Sequence, residues 1–174
     1  MKHKYENTFS RNIALALALM MIMAMIFLSP DERIQLALST GTRSSGWTSS
    51  ITYMMVHANW FHLAINLYAL LALVFLSNAN AAQILASILL SAMLPSVLIG
   101  DIPILGFSVV NYTLTGLLII SSSRFWWLFS INALLLGSQV VVPGIAVVAH
   151  AWGFVTGAVF GYCYNFIFKP RFNE

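Results

Sequence analysis

The stretch VHANWFHLAINLYALLALVFLS, Val56 to Ser77, decides the fold. From Trp60 onward it holds no Asp, Glu, Lys or Arg, and its length approaches the roughly 20 residues a helix needs to cross a hydrocarbon layer. Backbone polar groups in such a layer must pair within their own segment, so the run reads as a membrane helix. Two histidines and an asparagine, His57, His62 and Asn66, stand at its edge. Polar side chains are costly there and call for a purpose.

The rest of the chain is of the same kind. Of 174 residues, 60% are hydrophobic and 7% charged, and the mean hydropathy is +0.86, far from the usage of soluble domains. No interior segment is polar enough to make a second domain, and there is no internal repeat, so residues 1–174 are expected to form a single all-α membrane bundle. Apolar windows place six spans at about 12–29, 60–77, 82–99, 107–121, 125–142 and 146–168. The first follows Lys2, Lys4 and Arg11 as a signal peptide would, but it ends in Phe27-Leu28-Ser29-Pro30 without a small-x-small cleavage site. It is expected to be a retained helix. Cys163, the one cysteine, lies in an apolar segment and has no partner for an intramolecular disulfide.

Lys2, Lys4, Arg11, Arg124, Lys169 and Arg171 fall on one side of this arrangement, and Arg33 and Arg43 on the other. That asymmetry predicts cytoplasmic N- and C-termini. The net charge of +3 follows from the same orientation and gives no reason to expect nucleic acid as a partner. His57, His62, Ser108 and His150 then lie near the outer ends of their segments. A shared depth for four such side chains on three segments points to a site.

His62 and Asn66 are four residues apart, roughly 40° around one helix face with Asn66 about 6 Å deeper, so they can act on one object. His57 sits at or before the helix start and points elsewhere. Interfacial snorkelling, or a bond to a neighbouring helix, would also account for these residues. In GFSVVNYTLTG, Gly106 to Gly116, Ser108 stands in the first turn of a helix, with Tyr112 and Gly116 below it on the same face. A lone membrane serine commonly bonds a carbonyl one turn back. In AHAWGFVTGAVFG, His150 precedes Gly153, Gly157 and Gly161, a small-residue stripe that permits close helix approach. Close approach is also what a serine and a histidine on different helices need to reach hydrogen-bond distance. Gly116 is the candidate contact on the facing helix.

Together these motifs resemble the rhomboid intramembrane serine proteases: His57, His62 and Asn66 on the second helix, Gly106-x-Ser108 with Tyr112 and Gly116 on the fourth, Ala149-His150-x-x-Gly153-x-x-x-Gly157 on the sixth. The match in order and spacing runs from about Trp47 to Gly161. The size is similar to minimal six-helix bacterial members and to the rhombosortase branch. The resemblance implies a six-helix rhomboid bundle in a bacterial inner membrane that cleaves transmembrane protein substrates beside membrane lipid. It implies Ser108 as nucleophile, His150 as base and then acid, and an oxyanion site of His62, Asn66 and the Ser108 N–H. Tyr112 would orient the histidine ring, and no metal, nucleotide or other cofactor is expected. It further implies a short interfacial helix at Arg33–Leu38, a cap at Gln139–Ile145, and a fifth helix that gates substrate entry. Trp126 and Trp127 are expected to mark the inner interface.

Two departures stand out. The family motif reads Gly-x-Ser-Gly, whereas Val109 follows Ser108 here and is expected to crowd either the oxyanion hole or the helix contact. The family's Trp-Arg pair in the first outer loop is Trp47-Thr48. A rhomboid-like protein that binds or routes membrane clients without cleaving them is the main alternative. A zinc protease built on His57, His62 and His150 would lack the His-Glu-x-x-His carboxylate, and a transporter would need intramembrane charge or an inverted repeat.

Overall fold

A computed structural model describes residues 2–29, 31, 49–77, 79–95, 98, 104–120, 126, 129–130, 132–134 and 147–168. The described chain is all-α, with no strand among the described residues. Its elements are α1 (Lys2–Phe27), the short α2 (Ser49–Thr52) running into a 3-10 turn at Tyr53–Met55, α3 (Trp60–Ser77), α4 (Ala81–Ala92), α5 (Ser108–Ile119) and α6 (Val147–Phe168). The sequence windows for the second, fourth and sixth spans match α3, α5 and α6 within two residues, and α1 begins earlier than its window. Arg33–Leu38, Trp47-Thr48, Trp127, Gln139–Ile145 and most of the fifth span lie outside the described residues. Within that span Trp126, Phe129, Ser130 and 132–134 are helical, and Trp126 is exposed.

The third span is shorter than its hydropathy window. It was expected to reach residue 99, but α4 ends at Ala92. Pro95 explains the stop, because its ring would collide with the Ser91 carbonyl one turn back and it has no N–H to give. That carbonyl instead accepts from the Leu94 N–H at 3.2 Å and from the Tyr53 hydroxyl at 3.2 Å. At its other end α4 starts in a capping box. The Asn80 side chain accepts from the Gln83 N–H at 3.0 Å, and the Gln83 side chain accepts from the Asn80 N–H at 2.9 Å. The Asn12 side chain accepts from the Ala81 N–H at 3.0 Å, which ties this helix start to α1.

The centre of the bundle is α5. Val109, Val110, Asn111, Thr113, Leu114 and all of 116–119 are buried, as expected of a helix apolar on every side. It packs against α3, α4 and, most extensively, α6. Outer helices bury one stripe only: α1 hides Asn12, Ala16, Leu19 and Met23, at helical spacing, while Leu17, Met21, Ile22 and Met25 stand exposed. Buried polar groups are linked across elements. The Thr113 hydroxyl donates to the Val109 carbonyl at 2.8 Å and lies 2.9 Å from the Ser91 hydroxyl of α4.

The glycine stripe is where α5 and α6 meet. A Cβ on Gly153 would stand 2.7 Å from the Val109 carbonyl oxygen, and one on Gly161 would stand 2.6 Å from that of Leu117. A Cβ on Gly157 would collide with the Thr113 carbonyl, and one on Gly116 with the Phe154 carbonyl. Main chain rests on main chain along the whole contact, Gly116 included, as the small-residue pattern predicted.

Among the described residues one helix, Val147–Phe166, is long and apolar enough to cross a membrane. Arg11–Phe27, Trp60–Phe75, Ala81–Ala92 and Ser108–Ile119 are apolar but shorter.

Candidate active site

The site begins at a turn that only glycine fits comfortably. Gly106 has φ +103°, and a Cβ there would stand 2.6 Å from both Cε1 and Nε2 of His62. Its N–H donates to the Tyr53 carbonyl at 3.0 Å. The next residue, Phe107, is fully buried, and its N–H donates to His57 Nε2 at 3.4 Å. Both residues ahead of Ser108 are therefore held by the 53–57 segment. Ser108 follows as the first residue of α5.

His57 was expected at the helix margin pointing elsewhere, and the structure gives it a task that spacing did not indicate. It is 2% exposed, with Nδ1 3.3 Å from the Met55 carbonyl. A carbonyl only accepts, so Nδ1 carries the proton and Nε2 is left to accept from Phe107. Burial first, and the neighbouring His62 ring second, push its pKa down to about 4, against a smaller opposing effect of the Met55 carbonyl. His57 is neutral at pH 7. The same segment is buried at Tyr53, whose phenol is pushed well above its ordinary range by burial.

Ser108 and His150 are brought together. His150 Nε2 lies 2.7 Å from Ser108 Oγ, a direct hydrogen bond between the first turns of α5 and α6. The Tyr112 ring stacks on the His150 ring, centroids 4.8 Å apart and planes 23° from parallel, which fixes the imidazole plane. Close main-chain contact below, through Gly153 and Gly157, is what lets two side chains this short meet.

His62 and Asn66 gather on the other side of Gly106. The His62 ring covers the glycine, and Asn66 Nδ2 is 3.6 Å from where its Cβ would be. Asn59 starts α3 by accepting the His62 N–H on its side chain at 2.8 Å, a helix cap that Asn before an apolar run signals in sequence. Asn66 Nδ2 donates to the His62 carbonyl at 2.9 Å. Asn111, for which the sequence offered no role, donates from Nδ2 to the Asn66 carbonyl at 3.1 Å and to Asn66 Oδ1 at 3.3 Å.

Val109 resolves toward one of its two expected positions. It is fully buried, and its Cγ1 stands 3.2 Å from where a Gly153 Cβ would be, so it fills the helix contact. Among the described residues no group of three His, Cys, Asp or Glu is arranged to hold a metal ion. The arrangement can transfer a proton from a serine hydroxyl to a neutral imidazole and offers side-chain N–H donors nearby.

The sequence matches no protein-family model and no curated protein.

Proposed function

We propose that this chain is a rhomboid-like intramembrane serine protease, a six-span bundle that cleaves transmembrane proteins near the outer leaflet. The observation that carries the reading is the 2.7 Å contact between Ser108 Oγ and His150 Nε2, with Tyr112 stacked on the imidazole. Such a pair, joined across two helices, is what nucleophilic catalysis by serine requires.

In this reading His150 takes the Ser108 proton as the oxygen attacks a substrate carbonyl carbon. The tetrahedral oxyanion is met by the Ser108 N–H and by the side chains of His62 and Asn66, each such donor typically worth about 2.7–4 kcal/mol in the barrier. The imidazolium then gives its proton to the leaving amine. A water, deprotonated by the same nitrogen, hydrolyses the acyl-serine and restores the dyad. Tyr112 holds the ring in place of the carboxylate that other serine hydrolases use. Gly106 provides the room that His62 needs.

A membrane location is supported by the surfaces. Only 28% of the most apolar window of α6 is buried, where a soluble core helix would be mostly covered. Phe61, Tyr68, Met25, Leu89 and Phe166 are likewise exposed on four different helices. With the charge asymmetry, this favours a membrane protein with both termini cytoplasmic and lipid on the exposed faces, and the resemblance to small bacterial members makes a bacterial inner membrane the proposed one.

The test is labelling of the detergent-solubilised protein with a fluorophosphonate probe. Wild type is expected to label, and Ser108→Ala and His150→Ala to lose labelling. Val109→Gly is expected not to raise it, because the valine faces α6. Labelling gained only in Val109→Gly would favour the client-binding alternative. A wild type that neither labels nor cleaves a membrane-reconstituted substrate overturns the protease reading.

A further inference from the structure

We infer that Asn111 is a positioning residue that holds the Asn66 amide in the orientation an oxyanion donor needs. The inference rests on the protease reading above. An asparagine side chain can be turned about so that its oxygen and nitrogen exchange places, and only one setting presents an N–H to developing negative charge. Here the setting follows from groups whose roles chemistry fixes. The Asn66 main-chain carbonyl can only accept, so Asn111 must bring its nitrogen to it, at 3.1 Å. That same nitrogen is 3.3 Å from the end of the Asn66 side chain, which must therefore be oxygen. Asn66 is left with its nitrogen on the opposite side, where the His62 carbonyl, again only an acceptor, takes one hydrogen at 2.9 Å.

The second hydrogen of Asn66 Nδ2 remains for the site. This nitrogen is on the Gly106 side, converging with the His62 ring two residues ahead of Ser108. With Asn111 unable to donate, the His62 carbonyl alone would hold the setting, and the reverse one, which turns a lone pair on the oxyanion, would no longer be opposed from the Asn111 side. Asn111 is 6% exposed, on the most buried helix of the bundle, so solvent does not compete for the contact. It reaches Asn66 from α5 across a separation of 45 residues, which is why spacing along one helix did not reveal it.

The experiment measures saturable inactivation by a fluorophosphonate in wild type, Asn111→Leu, Asn66→Ala and the double variant. Asn111→Leu is expected to lower the maximal inactivation rate at least about tenfold, with the half-saturating concentration within about twofold. In the Asn66→Ala background the same change is expected to do almost nothing, less than about twofold. Thermal melts accompany each variant, and Asn111→Ala, smaller and free of steric conflict, enters the same cycle if the leucine does not fold. Equal rates in wild type and Asn111→Leu overturn the inference alone. Independent, multiplying effects of the two substitutions do so as well, since Asn111 would then be an interhelical tie and nothing more. A wild type with no reactive serine overturns the inference together with the reading beneath it.

Discussion

At the scale of single residues, Gly106 and His57 do the unobvious work. Gly106 combines a left-handed backbone with contact to the His62 ring. Gly106→Ala is expected to cost about 1–2 kcal/mol in backbone strain alone and to push His62 aside. Fluorophosphonate labelling should fall at least about tenfold, a larger effect than the loss of melting temperature would account for. His57 makes a prediction about acid. Its neutral form is favoured in the folded protein, so the unfolded chain binds more protons between pH 6.5 and about 4. Stability is full above 6.5 and falls as pH drops through that window, by about 3 kcal/mol at about 1.4 kcal/mol per pH unit. Melts from pH 7.5 to 4 should show this slope in wild type and a shallower one in His57→Gln. Spacing along a helix placed His62 and Asn66 on one face, and resemblance paired Ser108 with His150. His57 was among the residues of the resemblance, but neither route gave a task to it or to Asn111, because both act on main-chain groups of another segment, and a bond to a distant backbone leaves no periodicity.

At the scale of elements, the glycine stripe explains how two first-turn side chains meet. Gly157 has no room for a methyl group, since its Cβ would strike the Thr113 carbonyl. Gly157→Ala should force α5 and α6 apart and open the Ser108–His150 contact. The expected result is labelling reduced at least about tenfold and a lower melting temperature, with exposed Val155→Ala on the same helix as an unaffected control. The stripe was legible because small residues every fourth position have few uses in an apolar helix other than close packing. The end of α4 was misjudged for a different reason. Hydropathy continues past Ala92 through Met93 and Leu94, but Pro95 cannot extend a helix whose Ser91 carbonyl already serves Tyr53 and Leu94. Apolarity reports solvent preference, and backbone pairing decides where a helix stops.

At the scale of the whole molecule, composition indicated an all-α chain, and the described elements agree. Span number is a harder matter, because a helix such as α5, 12 residues long, rises only about 18 Å and cannot cross roughly 30 Å of hydrocarbon by itself. Its place at the bundle centre, covered by α3, α4 and α6, removes that demand, since irregular backbone at its ends can be shielded by protein. The orientation proposed here predicts that a cytoplasm-dependent fluorescent reporter fused after Glu174 is active, and that an export-dependent phosphatase at the same point is inactive. The reverse pattern would place the dyad near the inner leaflet.

The contact between α5 and α6 repeats every four residues on both sides: Gly153, Gly157 and Gly161 against the carbonyls of Val109, Thr113 and Leu117. A ladder with equal rungs does not by itself say which rung belongs to which. Sliding α6 by one repeat, about 6 Å, would seat Gly157 on Val109 and Gly161 on Thr113 but would bring Asn165 onto the Leu117 carbonyl, where even a Cβ stands too close. Two features that are not periodic tell the seatings apart: the small residues stop at Gly161, and at the other end of the ladder one hydroxyl, one imidazole and one phenol ring each occur once. The hydrogen-bonded pair at one end and the last glycine at the other thus mark the same alignment of the two helices, so the seating that packs best is also the one that joins Ser108 to His150.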